Sequence, residues 1–163
     1  MPSVRQILVQ NVVKTIPVGL LVIGPRGTVM AASPSAAELL GLEQTELAGC
    51  DWRALLLPVA ANEAFNRNLV EAVEQGRPYG QRLADYQRPD GETRRFSMTA
   101  SCPSVEGRPI GVTVLFDDVT ALYRSREREN AALREKNRLQ HDMIESLNRS
   151  EEHTSELQSL AYL

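Results

Sequence analysis

The sequence predicts an α+β fold: two strands, several short helices, one longer helix, three further strands, and then a single long C-terminal helix. Three observations carry this expectation. A run of branched apolar residues, Val18–Ile23, is followed at once by the turn Pro25-Arg26-Gly27 and a second short apolar run. Two alternating stretches, Arg82–Gln87 and Thr93–Ser101, flank Pro89-Asp90-Gly91, and Asp-Gly between alternating runs is a strong hairpin signal. Gly and Pro stop at Gly111 and Pro109, after which Ala, Leu, Glu, Arg and Lys dominate, as a long helix requires.

Taken in order, Val4–Lys14 spaces Val4, Ile7, Leu8, Asn11 and Val12 for an amphipathic helix, closed before Pro17 because the residue preceding proline is pushed out of the helical region. Val18–Ile23 and Thr28–Ala32 form the first hairpin. Ser33 caps the next helix, Pro34 suits its first position and Gly41 ends it, with Ala36, Ala37, Leu39 and Leu40 on the buried side. Short helical stretches follow at Glu43–Leu47 and Trp52–Leu57, the latter stopped by Pro58. Residues 61–75 make the best helix of this part, with Phe65, Leu69, Ala72 and Val73 on one face and Gly76 as its stop. The second hairpin then leads through a turn at Glu106-Gly107-Arg108-Pro109 to a last strand, Ile110–Phe116, and Cys102 is placed on a strand.

Composition excludes several functions. The 163 residues suit one domain with an appendage. A net charge of −3 argues against a basic surface that tracks nucleic acid. No apolar run approaches the ~20 residues that span a bilayer, and the N-terminus lacks a secretory pattern, so a cytoplasmic chain is expected. Two cysteines, Cys50 and Cys102, cannot form a disulfide framework or a four-cysteine zinc site. No phosphate-binding glycine loop, metal-ligand cluster or Ser/His/Asp order is present, so no catalytic residues are expected.

The order of elements resembles a PAS sensor domain over about residues 5–120. The resemblance rests on Val18-Gly19-Leu20-Leu21-Val22-Ile23, on Ser33-Pro34-Ser35-Ala36-Ala37-Glu38-Leu39-Leu40-Gly41, on Glu46-Leu47-Ala48-Gly49, on Arg88-Pro89-Asp90-Gly91-Glu92 and on Phe116-Asp117-Asp118-Val119-Thr120. Ser33 stands where the family more often has Asn. The resemblance implies a five-stranded antiparallel sheet with helices on one face and sensing or dimerisation rather than catalysis. The chain is then expected to divide into an N-terminal amphipathic helix (1–16), a PAS domain (17–118), a signalling helix (119–148) and, on the separate ground of its own sequence, a non-native tail (149–163). In the exit motif, Asp118 and Thr120 can cap the long helix and are the candidates for signal relay.

The cofactor is left unknown. Histidine-ligated haem is disfavoured because both histidines, His141 and His153, lie beyond the domain. A covalent flavin–cysteine adduct is disfavoured because Cys50 follows Gly49 with no Asn between them and Trp52 occupies the position the reactive Cys would need. Cys50 and Cys102 are read as small buried residues and Trp52 as a core or rim residue. Arg94-Arg95 could meet an anionic ligand, although a solvated pair at a strand end also explains it.

Charge density rises sharply beyond the exit motif: 24 charged residues occupy positions 1–118 and 12 occupy 119–150. Fully helical, that stretch would extend ~48 Å. One heptad register places Tyr123, Asn130, Asn137 and Ile144 at a, with Val119, Arg126, Leu133, Gln140 and Leu147 at d, consistent with a weakly associating two-stranded seam or with a solvated helix. The expected partners are a second copy through this helix and an effector domain in the same parent chain, a histidine kinase first and a diguanylate cyclase next. The competing class is a PAS-like interaction domain with no ligand. His141-Asp142 resembles a histidine-kinase phosphoacceptor, so His141 is a candidate, although the Arg and Pro usual beyond the acid are missing. Arg149–Ser159 resembles the in-frame translation of a sequencing-library adapter, so the natural protein is expected to depart from this chain near Arg149.

Overall fold

A computed structural model describes residues 3–162. They form two compact units, divided between Thr120 and Ala121. In the first unit, α1 (Val4–Thr15) is followed by β1 (Gly19–Ile23), β2 (Val29–Ala32), α2 (Pro34–Leu40), α3 (Gln44–Leu47), α4 (Trp52–Leu56), a single 3-10 turn (Ala60–Asn62) and α5 (Glu63–Val73). The chain returns through β3 (Tyr79–Gln87), β4 (Thr93–Ser101), a two-residue ladder of β5 (Ser104–Val105) with β6 (Arg108–Pro109), and β7 (Val112–Asp118). The last helix, α6, spans Thr120–Ala161.

The five main strands lie in the order β2-β1-β7-β4-β3, every pair antiparallel. The final strand is therefore central: β7 pairs with β1 on one side and with β4 on the other. Alternation sorts its side chains, with Val112, Val114 and Phe116 buried and Leu115 40% exposed on the opposite face. The buried face meets Ala36, Ala37 and Leu40 of α2 and Phe65, Leu69 and Ala72 of α5 in one core. Its centre is aromatic. Phe65 stands 4.9 Å from Tyr86 and 6.1 Å from both Phe96 and Phe116, and Phe96 lies 5.2 Å from Phe116, with rings tilted or edge-on as their quadrupoles favour. Gly19 is required by this cluster, because a Cβ there would collide with the Phe116 ring.

Several boundaries differ from those the sequence suggests. The last strand starts at Val112 rather than Ile110, because Gly111 takes a φ of 144° and Ile110 is 50% exposed. It also runs two residues further, to Asp118. Cys102 lies beyond the end of β4 and not on a strand. The β5–β6 ladder was not expected, since two residues a side give no alternation to read. On α1, Val4 and Ile7 are exposed, so the apolar spacing there does not mark a buried face among the described side chains; Leu8 lies outside them. In the second unit, α6 continues through residues 151–161 and has no buried residue. Among the described residues no helix is long and apolar enough to cross a membrane.

Candidate functional site

The exit of β7 is built from three strands and their flanking residues. Asp118 pairs across the ladder with Phe96, which puts its carboxylate at the end of the core face beside the start of β4. There it accepts three hydrogen bonds. The Thr120 amide donates to Oδ1 at 2.9 Å, the Thr120 hydroxyl donates to the same oxygen, and Arg94 Nη1 donates to Oδ2 at 3.0 Å. Asp118 and Arg94 are each about three-quarters buried, so water screens the pair only in part. The first of these bonds is an N-terminal cap for α6.

The Thr120 Oγ1 accepts the Arg95 N–H of β4 at 2.8 Å. Val119 donates its own amide to the Arg95 carbonyl at 2.9 Å. Residues 118–120 are thus tied to β4 by one ion pair and two bonds to the backbone of a single residue.

The arginines at this edge are paired rather than simply solvated. Arg95 meets Asp85 directly across the β3–β4 ladder, with Nε at 2.7 Å from Oδ1, and the guanidinium holds that carboxyl below its usual range. Arg94 also reaches Glu92, at 3.2 and 3.3 Å. Glu92 is shared, because Arg88 Nη1 donates to the same carboxylate oxygen at 2.8 Å. Hydrogen bonds first from Arg88 and then from Arg94 hold Glu92 below the ordinary carboxylate range.

Arg88 and Glu92 flank the turn Pro89-Asp90-Gly91, and that turn explains their meeting. The Arg88 amide donates to the Glu92 carbonyl at 2.8 Å, and Gly91 donates back to the Arg88 carbonyl at 2.9 Å, so both side chains leave one end of the hairpin. Arg88 then lies over the C-terminus of α2, donating from Nη2 to the Glu38 carbonyl at 3.3 Å, a favourable place for a cation. Only glycine allows this. Gly41 has φ 69°, and a Cβ there would sit 2.7 Å from Arg88 Nε. The hairpin edge is fixed from below by Asn62, whose amide side chain bonds the Gln87 carbonyl at 3.2 Å and the Gln87 N–H at 2.6 Å. Nothing in the sequence marked Asn62 as buried.

Arg88 also lines a cavity of about 350 Å³, with Leu42, Leu55, Val59, Tyr86 and Pro89 as its apolar walls. The space between α5 and the sheet is occupied by the four aromatic rings, and Trp52 is fully buried in the same core. The Cys50 thiol donates to the Leu47 carbonyl and Cys102 to that of Ala72, and burial raises the pKa of both, so neither is poised as a thiolate. His141 is exposed on α6. Among the described residues no three His, Cys, Asp or Glu groups converge to hold a metal ion.

The profile of the family described as PAS fold matches residues 13–124. No curated protein matches the chain. Among solved structures, the PAS domain of a protein from Colwellia psychrerythraea superposes with a TM-score of 0.55 at 17% identity, covering 71% of this chain and 98% of that one. A sensory box histidine kinase/response regulator from Burkholderia thailandensis gives 0.54 at 18% identity, over 75% and 92% of the two chains. The PAS domain of nitrogen regulation protein NR(II) from Vibrio parahaemolyticus gives 0.51 at 14% identity, over 68% and 97%. At such identities the likeness is one of fold.

Proposed function

Since the chain belongs to the PAS fold family, we propose that it is the sensory module of a bacterial signal-transduction protein, with residues 17–118 as the sensor and 119–148 as its output helix. The effector is a histidine kinase core, with a diguanylate cyclase as the next choice, and two copies associate through the helix. The module regulates and does not itself catalyse. One observation carries this reading: Asp118 is bonded at once to Arg94 of β4 and to the amide of Thr120, the residue at which α6 starts. A change in the spacing or tilt of β4 against β7 must then alter the cap from which the helix starts. Asp118 and Thr120 are the relay residues, and His141 is a secondary candidate for phosphorylation by a separate kinase.

A second reading, an interaction domain with no interior ligand, is favoured by the filled aromatic centre. Fusing residues 1–148 to a histidine kinase core separates the two. If the module senses and relays, Asp118→Ala leaves the sensor folded but changes the autophosphorylation rate severalfold. Equal rates from the two fusions would remove the relay and leave the interaction domain.

A further inference from the structure

We propose that the cavity between the α2–α3 link, α4 and the β3–β4 hairpin binds a small apolar carboxylate, and that Arg88 passes its occupancy to Asp118 through Glu92 and Arg94. The inference rests on the sensory reading above and names the ligand class for it. The cavity is the right size for a small molecule, and its walls are apolar except at the hairpin. A guanidinium at the end of apolar walls selects a carboxylate with an apolar tail. The Arg88 side chain is only 18% exposed, and its Nε is buried without an acceptor.

The present partners of Arg88 are exchangeable. Glu92 at 2.8 Å and Asp90 at 3.4 Å are about half exposed, and ion pairs to such groups are weak. A ligand carboxylate inside the cavity can replace Glu92 without leaving the guanidinium unpaired. Glu92 then keeps Arg94 alone, which it already touches at 3.2 Å. That shift draws Arg94 from Asp118, 3.0 Å away, and leaves the carboxylate that caps α6 with Thr120 as its partner. Each link is a contact of 2.8–3.3 Å, so the path from cavity to exit is continuous. By reciprocity, whatever tightens the Arg94–Asp118 pair weakens the ligand.

The test is an NMR titration of amide shifts with phenylacetate and with its neutral counterpart, phenylacetamide. Phenylacetate should shift the amides of Leu42, Leu55 and residues 86–92 and, in the same titration, those of Arg95 and Thr120. The amide should bind roughly tenfold more weakly or worse, the value of one charge-assisted bond. Arg88→Gln should abolish binding. Because Arg88 also braces the hairpin, Val59→Trp, which fills the cavity from a partly exposed position, should abolish it with the spectrum otherwise native. Glu92→Gln should tighten phenylacetate binding and uncouple Thr120 from it. Equal binding of both probes, binding that survives Arg88→Gln and Val59→Trp, or a Thr120 response that survives Glu92→Gln would overturn the proposal. Failure of phenylacetate to bind at millimolar concentration would also overturn it, and would leave the sensory reading to the kinase fusion, which needs no ligand.

Discussion

Removing the Asp118 carboxylate measures how firmly the exit of β7 is held. In Asp118→Ala, the Thr120 amide loses its acceptor at 2.9 Å, a capping contact worth about 1 kcal/mol. Arg94 loses its bond at 3.0 Å. A bond to a charged group is worth up to ~3 kcal/mol, but Arg94 retains Glu92 at 3.2 Å, so about 1 kcal/mol is the appropriate figure. The sum is about 2 kcal/mol. With an unfolding entropy of ~2.1 cal/mol/K per residue, a unit the size of Met1–Thr120 should melt about 8 °C lower. Thermal unfolding followed by circular dichroism, with urea unfolding to check that the m-value is unchanged, provides the measurement. A drop below about 2 °C would show that the carboxylate holds nothing. Loss of the fold at 25 °C would show that Asp118 is a core determinant rather than a tie at the edge.

Three other outcomes follow from the same geometry. Tyr79 and Tyr86 are each pushed up to about 12, chiefly by burial, so both stay protonated in the native state after they would ionise in the unfolded chain. Their contribution to stability is complete below about pH 10 and is lost between about pH 10 and 12; an absorbance titration of Tyr86→Phe should lose an ionisation near 12 and none near 10. Gly41→Ala combines φ 69° with a Cβ 2.7 Å from Arg88 Nε, and should cost at least ~1 kcal/mol and weaken the Arg88–Glu38 contact, read by urea unfolding and by the amide shifts of residues 38–41. Phe96→Ala opens the centre of the aromatic cluster and should cost ~3–5 kcal/mol, whereas Phe96→Leu should cost visibly less in the same assay.

The parts of the fold that the sequence discloses are those governed by local chemistry. Ser33 accepts the Ala36 amide at 3.1 Å and Gly41 takes the left-handed conformation, as Ser-Pro at one end and Gly at the other imply. The strand at Thr93–Ser101 has the bounds its alternation suggests, because one face is buried and the other wet. Where a short ladder or a glycine overrides alternation, at β5–β6 and at Gly111, the pattern misleads. At the site, Asp118 and Thr120 are visible as residue types suited to a helix start. That the Thr120 oxygen serves a strand amide 25 positions earlier depends on register, which no local pattern encodes. Arg88 is harder still to see. Its place is set by a glycine at the end of a helix 47 positions upstream and by Asn62 beneath the hairpin. The three buried asparagines, Asn62, Asn66 and Asn68, sit at positions where a helical pattern shows only polarity.

The cooperation of β4 with the exit of β7 is the claim from which the relay follows, and a double-mutant cycle between Arg94 and Thr120 tests it most directly. These side chains both bond the Asp118 carboxylate. If Asp118 joins them, the unfolding free energies of Arg94→Gln, Thr120→Val and the double variant should give a coupling of at least ~0.5 kcal/mol. Additivity within ~0.3 kcal/mol would mean that each acts alone, and that the end of the sheet has no means of informing the helix through these residues.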